Sequence, residues 1–219
     1  MKRHALVLIV GLCASLVFIS CGGYNSPSNN TTSTSKLTER VLASQGVTTS
    51  GLFGGLIFIN GQNDTLAPVS PLSAGSAPGI MVLSPTRNIV ASFDAGSNTV
   101  FAFDTTSQSA IGSVRISGPT SSMVIPLANP TVYAAVPSAT VSGFAFQGAV
   151  QALNFSAGTL GTIAVASAQT VVANSSGSQL MVFSNDSDSI TLVAPTLAVP
   201  PVDTSCYTNP TNGVCTIVP

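Results

Sequence analysis

The sequence predicts an all-β fold assembled from repeated four-stranded antiparallel units, and three observations carry that expectation. From Gly54 onward, short runs rich in Val, Ile, Phe and Ala are broken by Gly, Pro, Asn, Asp and Ser. The breaks recur at about 8 to 12 residues, the spacing of strands joined by tight turns. Past the first 20 residues no stretch carries a helical apolar period of comparable length. The same strand sequences then return at near-constant steps, which marks a repeat architecture. Composition agrees, since 45% hydrophobic and 6% charged residues oppose the signature of disorder and call for a buried core.

The first element is not part of that fold. Lys2, Arg3 and His4 precede an apolar run from Ala5 to Ile19 that leads into Ser20-Cys21-Gly22-Gly23. A basic head, an apolar stretch and small residues at a cut form a secretory signal. The run is 15 residues long, short of the roughly 20 needed to cross a bilayer core, so an uncleaved transmembrane helix is the weaker alternative. Phe18-Ile19-Ser20-Cys21 resembles the lipobox of bacterial lipoproteins. The resemblance implies cleavage after Ser20, acylation of Cys21 and a membrane partner held through an N-terminal lipid anchor. Gly22, where an Asp would retain the protein, implies by the same resemblance an outer-membrane lipoprotein facing the periplasm or the cell surface. Ordinary signal cleavage without lipid is the alternative. The organisation is thus a signal peptide over 1–20, a tether and approach segment over 21–50, and a repeat domain over 51–219.

Cleavage would remove His4, the one histidine, together with Lys2 and Arg3. Lys36, Arg40, Arg87 and Arg115 remain against seven acidic residues, a net charge of −3. A chain so poor in basic residues has no patch with which to grip nucleic acid, so no nucleic-acid partner is expected. Tyr24 to Ser35 contains no aliphatic residue and is rich in Ser, Thr and Asn. It reads as a flexible tether spanning on the order of 20 Å. Lys36 to Ser50 is an amphiphilic approach with no clear period.

The strands follow in order. They are Gly55 to Asn60, Leu66 to Leu72, Ile80 to Ser84, Ile89 to Asp94, Thr99 to Asp104, Ile111 to Ser117 and Ser122 to Pro126. Thr131 to Val136, Ala149 to Asn154, Leu160 to Val165, Thr170 to Asn174, Gln179 to Ser184 and Ser189 to Ala194 complete the set. Ile80-Met81-Val82 is echoed by Ser122-Met123-Val124 and Thr170-Val171-Val172, with steps of 42 and 48 residues between the central positions. A second anchor is an apolar strand closed by Asn or Asp: Leu56 to Asn60, Val100 to Asp104 and Val150 to Asn154, with steps of 44 and 50. The longer second step places an insertion at Thr140 to Gly148, in the loop before the third of these strands. One repeat is therefore four strands in about 45 residues, the unit of a β-propeller blade.

These residues resemble the bacterial β-propellers with YVTN-type repeats. Ser84-Pro85, Val90-Ala91-Ser92-Phe93 and Ser97 to Thr106 follow that pattern closely, and Tyr133 to Val136 and Leu180 to Phe183 follow it loosely. The resemblance covers Gly54 to Ala194 and implies propeller blades in an exported protein. The count gives about three blades plus a leading strand pair, whereas closed propellers use 4 to 8 blades. The expectation is the N-terminal part of a larger propeller, with an uncovered apolar blade face that favours association. A β-sandwich and a transmembrane barrel are the all-β rivals. The barrel fits less well because the chain has no Trp and only three Tyr for aromatic girdles.

Catalytic constellations are nearly absent. Without a mature histidine there is no Ser-His-Asp or Cys-His arrangement, and Lys36 lies outside any phosphate-cradling loop. Asp94 and Asp104 close neighbouring strands and read as turn residues, with a paired-carboxylate role as the alternative. Asn185 to Ser189 starts like a calcium loop but lacks its sixth-position Gly and twelfth-position Glu, so a polar turn is preferred. No cofactor is implied. Cys206 and Cys215, an even pair in an exported chain, read as a disulfide, with free thiols or a metal pair as alternatives.

Two functional classes remain. One is a non-catalytic binding or scaffold module at the cell envelope, recognising a protein or carbohydrate through loops at one propeller face. Its contact points would be the insertion bearing Phe144 and Phe146 and the loop between Cys206 and Cys215. The other is an envelope enzyme, since propellers of similar repeat type resemble quinoprotein-dehydrogenase subunits and sugar lactonases. Its active site would have to lie in further blades.

Overall fold

The computed structural model describes residues 39–47, 54–67, 71–185, 190–195 and 214–217. It is all-β, with four four-stranded antiparallel sheets and no helix among the described residues. The first sheet holds β1 (Arg40–Gln45), β2 (Gly55–Asn60), β3 (Thr65–Leu66) and β4 (Leu72–Ser73). The second holds β5 (Pro78–Leu83), β6 (Ile89–Asp94), β7 (Thr99–Asp104) and β8 (Ser109–Arg115). The third holds β9 (Ser122–Val124), β10 (Val132–Thr140), β11 (Gln147–Asn154) and β12 (Thr159–Ala164). The fourth holds β13 (Ala168–Ala173), β14 (Leu180–Ser184), β15 (Ile190–Val193) and β16 (Val214–Ile217). In the last three sheets the strands pair in chain order, the meander of a propeller blade.

The leading strands differ from the sequence expectation in two ways. Leu66 to Leu72 is interrupted: Thr65–Leu66 pairs with the far end of β2, and Leu72–Ser73 pairs with its near end. β3 and β4 thus form one broken strand. The approach segment also contributes β1, which pairs along the full length of β2 from Arg40 opposite Asn60 to Gln45 opposite Gly55. The leading pair is therefore part of a sheet three strands across, with no described strand in the place that β5, β9 and β13 hold in the other sheets.

Register makes the repeat explicit. Val41 lies opposite Ile59, Val90 opposite Phe103, Val132 opposite Leu153, and Leu180 opposite Val193. These pairs are equivalent positions in four sheets, because each lies one residue before, or in line with, the Asn60, Asp104 and Asn154 strand ends. Met81, Met123 and Val171 likewise lie opposite Ser92, Ala134 and Val182 in the first strands. The register read from the sequence is the register of the sheets.

Alternation along each strand sends residues to two faces, and both faces are apolar because each sheet packs against a neighbour on either side. Leu56 and Ala74 of the first sheet meet Val90 and Phe103 of the second. Ala91, Phe93 and Val100 on the other face of the second sheet meet Met123, Val132, Ala134 and Leu153 of the third. Tyr133, Ala135 and Val150 on the other face of the third meet Val171, Leu180 and Val182 of the fourth. Three clusters thus join successive sheets, and each large buried side chain contributes roughly 1.5–3 kcal/mol. The first strands lie innermost. β5 neighbours β9, β9 neighbours β13, and Ser122 Oγ donates to the carbonyl of Val171 (3.2 Å) while accepting from its N–H (3.0 Å).

The turns repeat as well. Asn60, Asp104 and Asn154 each close a third strand, and their side-chain oxygens accept from backbone N–H groups two or three residues on, at Gln62, Thr106 and Ser107, and Ala157. Four residues after each stands a residue with positive φ: Asp64, Gln108 and Gly158. An Asx residue that caps the turn, followed by a left-handed residue that returns the chain, suits a tight hairpin.

Two glycines separate close approach from mere conformation. Gly75 has φ +89 and a Cβ there would stand 2.2 Å from Asp94 Cγ, whereas Gly143, with φ +88, has nothing within 4 Å. Gly143→Ala should therefore cost only the left-handed penalty, about 1–2 kcal/mol. Gly75→Ala should cost about 3 kcal/mol or more, because the buried carboxylate must also move. Urea unfolding midpoints check the difference, and equal losses would refute the close-packing account.

Candidate functional site

The meander sorts the connections onto two ends of the sheet stack. One end carries the turns between second and third strands and the links from one sheet to the next. Backbone hydrogen bonds join them there: Val47 N to Ser76 O, Ala95 N to Ala77 O, Ile116 N to Asn98 O, and Ser167 N to Gln147 O. The opposite end carries the turns Ser84–Ile89, Asp104–Ser109, Pro126–Thr131 and Asn154–Thr159.

The insertion lies at the first end, and its form differs from a simple loop. β10 and β11 run on beyond the blade, past an irregularity between Val136 and Thr140, until Thr140 faces Gln147. The result is a lengthened hairpin. Its tip is a turn closed by Phe144 N donating to Val141 O (3.2 Å), with Gly143 at the third position and φ 88, the geometry of a type II turn. Val141 packs onto the cluster between the second and third sheets, which ties the tip to the core. Phe144 and Phe146 come together beyond it, ring centroids 5.2 Å apart and planes tilted by 51°. Both rings remain partly exposed, with Ala145 exposed between them. Paired aromatics in this tilted geometry stabilise one another by about 0.5–1.5 kcal/mol beyond burial.

Polar contacts fix the base of this hairpin. Gln151, buried in β11, donates through Nε2 to Ser117 Oγ (2.7 Å) and accepts at Oε1 from Ser117 N (3.0 Å). Thr120 Oγ1 donates to the carbonyl of Ala135 (2.6 Å). The link Ser117–Ser121 is thereby held against the β10–β11 pair. Gly148, with φ +123, lies so close to Val165 O and Ser167 N that a Cβ would collide with both. The aromatic tip stands on a rigid support.

Asp94 and Asp104, the candidate carboxylate pair, are separated. They close opposite ends of the hairpin formed by β6 and β7, on the order of 17 Å of strand apart. Asp94 is buried, and its carboxylate accepts from Ala77 N (2.7 Å), Gly96 N (3.3 Å) and Ser97 Oγ (2.5 Å). Burial pushes its pKa up, but these bonds outweigh it and hold the group below the ordinary value of 3.8. Asp104 is held low chiefly by the backbone N–H of Ser107, against burial, with further help from Thr106 and the Arg40 charge. Both act as turn caps. No group of three or more His, Cys, Asp or Glu able to hold a metal occurs among the described residues.

Arg40 is a residue the sequence reading passed over. Its Nη1 donates to the carbonyl of Thr105 (2.8 Å), joining β1 to the β7–β8 turn of the next sheet. At that opposite end a shallow cleft of about 210 Å³ lies between the second and third sheets, lined mainly by Ile89, Ile111, Pro130, Leu153 and Phe155. None of its lining side chains titrates in the ordinary range. Cys21, Cys206 and residues 186–189 lie outside the described residues, and Cys215 is described as a backbone position of β16 opposite Leu192.

No protein-family model matches the sequence, and no curated protein matches it. Among solved structures, 316 chains match. One is Kuenenia stuttgartiensis hydrazine synthase, at 14% identity and a TM-score of 0.49, over 64% of this chain and 39% of that one. This chain therefore spans well under half the length of that neighbour.

The two depressed carboxyls fix a pH dependence. A group whose folded pKa lies below its unfolded value stabilises the fold fully above the unfolded value and loses that contribution as pH falls through the folded one. Wild-type unfolding free energy should thus hold near neutrality and decline below about pH 3.8. Asp94→Asn should lose roughly 1–3 kcal/mol at pH 7 and show a shallower acid decline. Chemical denaturation from pH 7 to pH 2.5 measures both, and an acid slope unchanged by the substitution would refute the assignment.

Proposed function

We propose that this protein is a lipid-anchored, non-catalytic binding module of the bacterial cell envelope, built on propeller blades of the YVTN-repeat kind and recognising a protein or carbohydrate. The observation that carries the reading is the lengthened β10–β11 hairpin, which presents Phe144 and Phe146 at the end of a rigid sheet. Aromatic rings offer large contact area at low entropic cost and stack on sugar rings as readily as on apolar side chains. The signal-like start and the Ser20-Cys21 cut support export and acylation, with residues 24–35 as a spacer from the bilayer. A catalytic role has less support: the sequence beyond Cys21 has no histidine, and Asp94 and Asp104 are committed to turns. In this reading a Cys206–Cys215 bridge would restrain the end of the fourth sheet.

The test uses the full chain in cells with a photoreactive aromatic residue in place of Ala145. Irradiation should give one discrete adduct, lost when Phe144 and Phe146 are both changed to Ser. Cys21→Ser should move the chain from the membrane to the soluble fraction and abolish labelling by a fatty-acid analogue. No adduct on either protein or glycan would overturn the binding role, and membrane retention without Cys21 would overturn the anchor.

A further inference from the structure

Equivalent positions in the four sheets are buried at every internal interface and exposed at the two ends of the stack. Val90, Val132 and Leu180 are 1%, 0% and 0% exposed, each covered by the preceding sheet, while their counterpart Val41 in the first sheet is 52% exposed. At the other end the relation is mirrored. Phe93 and Ala135, which face the following sheet, are 4% and 0% exposed, while their counterpart Phe183 in the fourth sheet is 39% exposed.

Around these two positions each end face is mainly apolar, with Glu39 and Gln45 at the two ends of the first and Thr170 beside Phe183 on the other. On the first sheet Val41 shares its face with Ala43, Ile57 and Ile59, which the register places opposite one another. On the fourth, Phe183 shares its face with Val172, Met181, Ile190 and Leu192. The fourth sheet thus displays the forward half of the inter-sheet interface, and β1 and β2 of the first sheet display the backward half at the positions held elsewhere by second and third strands. The same pairing of halves is made three times within the chain.

We propose that the occupant of both faces is a second copy of this chain, docked head to tail so that the fourth sheet of each copy covers the first sheet of the other. One chain carries both halves of an interface it already uses internally, so a second copy supplies the missing half at each end without any new surface chemistry. Two contacts of this heterologous kind close a ring when the rotation between copies is a half turn. The four described sheets of each copy would together make eight, within the ordinary range for closed propellers. The ring removes both exposed faces, which would otherwise be an aggregation liability.

The test is the mass of the full-length chain in mild detergent by analytical ultracentrifugation. The wild type should sediment as a dimer. Val41→Glu and Phe183→Glu should each sediment as monomers with wild-type far-ultraviolet circular dichroism, because either change spoils both contacts of the ring. Mixing the two variants should restore association, weaker than the wild type, since one of the two contacts joins an unaltered first sheet to an unaltered fourth sheet while the other carries both glutamates. A monomeric wild type would overturn the proposal, whatever becomes of the variants. A Val41→Glu chain that remains dimeric would overturn it in favour of contact between two fourth sheets.

Discussion

The structure depends on one constraint, that each sheet in the stack must cover apolar residues on both of its faces. A single antiparallel sheet with one solvated face would alternate apolar and polar residues. Here Val90-Ala91-Ser92-Phe93 and Tyr133-Ala134-Ala135-Val136 are buried without a break, because even-numbered positions meet the sheet before and odd-numbered positions the sheet after. The weak charge of the chain follows from this, since few strand positions face water. So does the repeat, because a unit that is covered on both sides by its like can be stacked with little change.

Turn chemistry keeps the stack in register. A slip of one residue would exchange the two faces of a strand, and the capped turns at Asn60, Asp104 and Asn154 oppose it by fixing where each third strand stops. Contacts between successive sheets fix their order. Asp94 holds the link that follows the first sheet through Ala77, Arg40 reaches the turn of the second, and Gln151 fastens the link into the third. The hairpin bearing Phe144 and Phe146 is an extension of this framework and inherits its rigidity.

Much of the fold was legible in the sequence because turn signals and strand composition coincide. Ile89 to Asp94 and Thr99 to Asp104 match the observed strands at both ends, since an Asp closes each and a polar turn follows. β1 was missed for a physical reason. Its connection to β2 spans residues 46–54, longer than the Asp94–Thr99 turn at the same place in the second sheet, so its period is not announced by a tight turn. Its side chains are also half-covered at the end of the stack. β5 starts at Pro78, earlier than the composition suggests, because an irregular pairing with Asp94 extends it. Of the site, the aromatic insertion could be located from the longer repeat step, but not the ring pairing, which depends on strands running past the blade. The packing of Asp94 on Gly75 could not be read at all, because it joins residues from different sheets.

The protein is a chain of sheets held by nearest-neighbour faces, in which stability is local to each interface. The most direct measurement is hydrogen exchange on the Phe183→Glu chain, where end-to-end contact is removed, with and without Tyr133→Ala at the interface of the third and fourth sheets. The account predicts faster exchange in segments from residues 122–193 and unchanged exchange in 40–66. Equal acceleration in both regions would show a single cooperative core and contradict it.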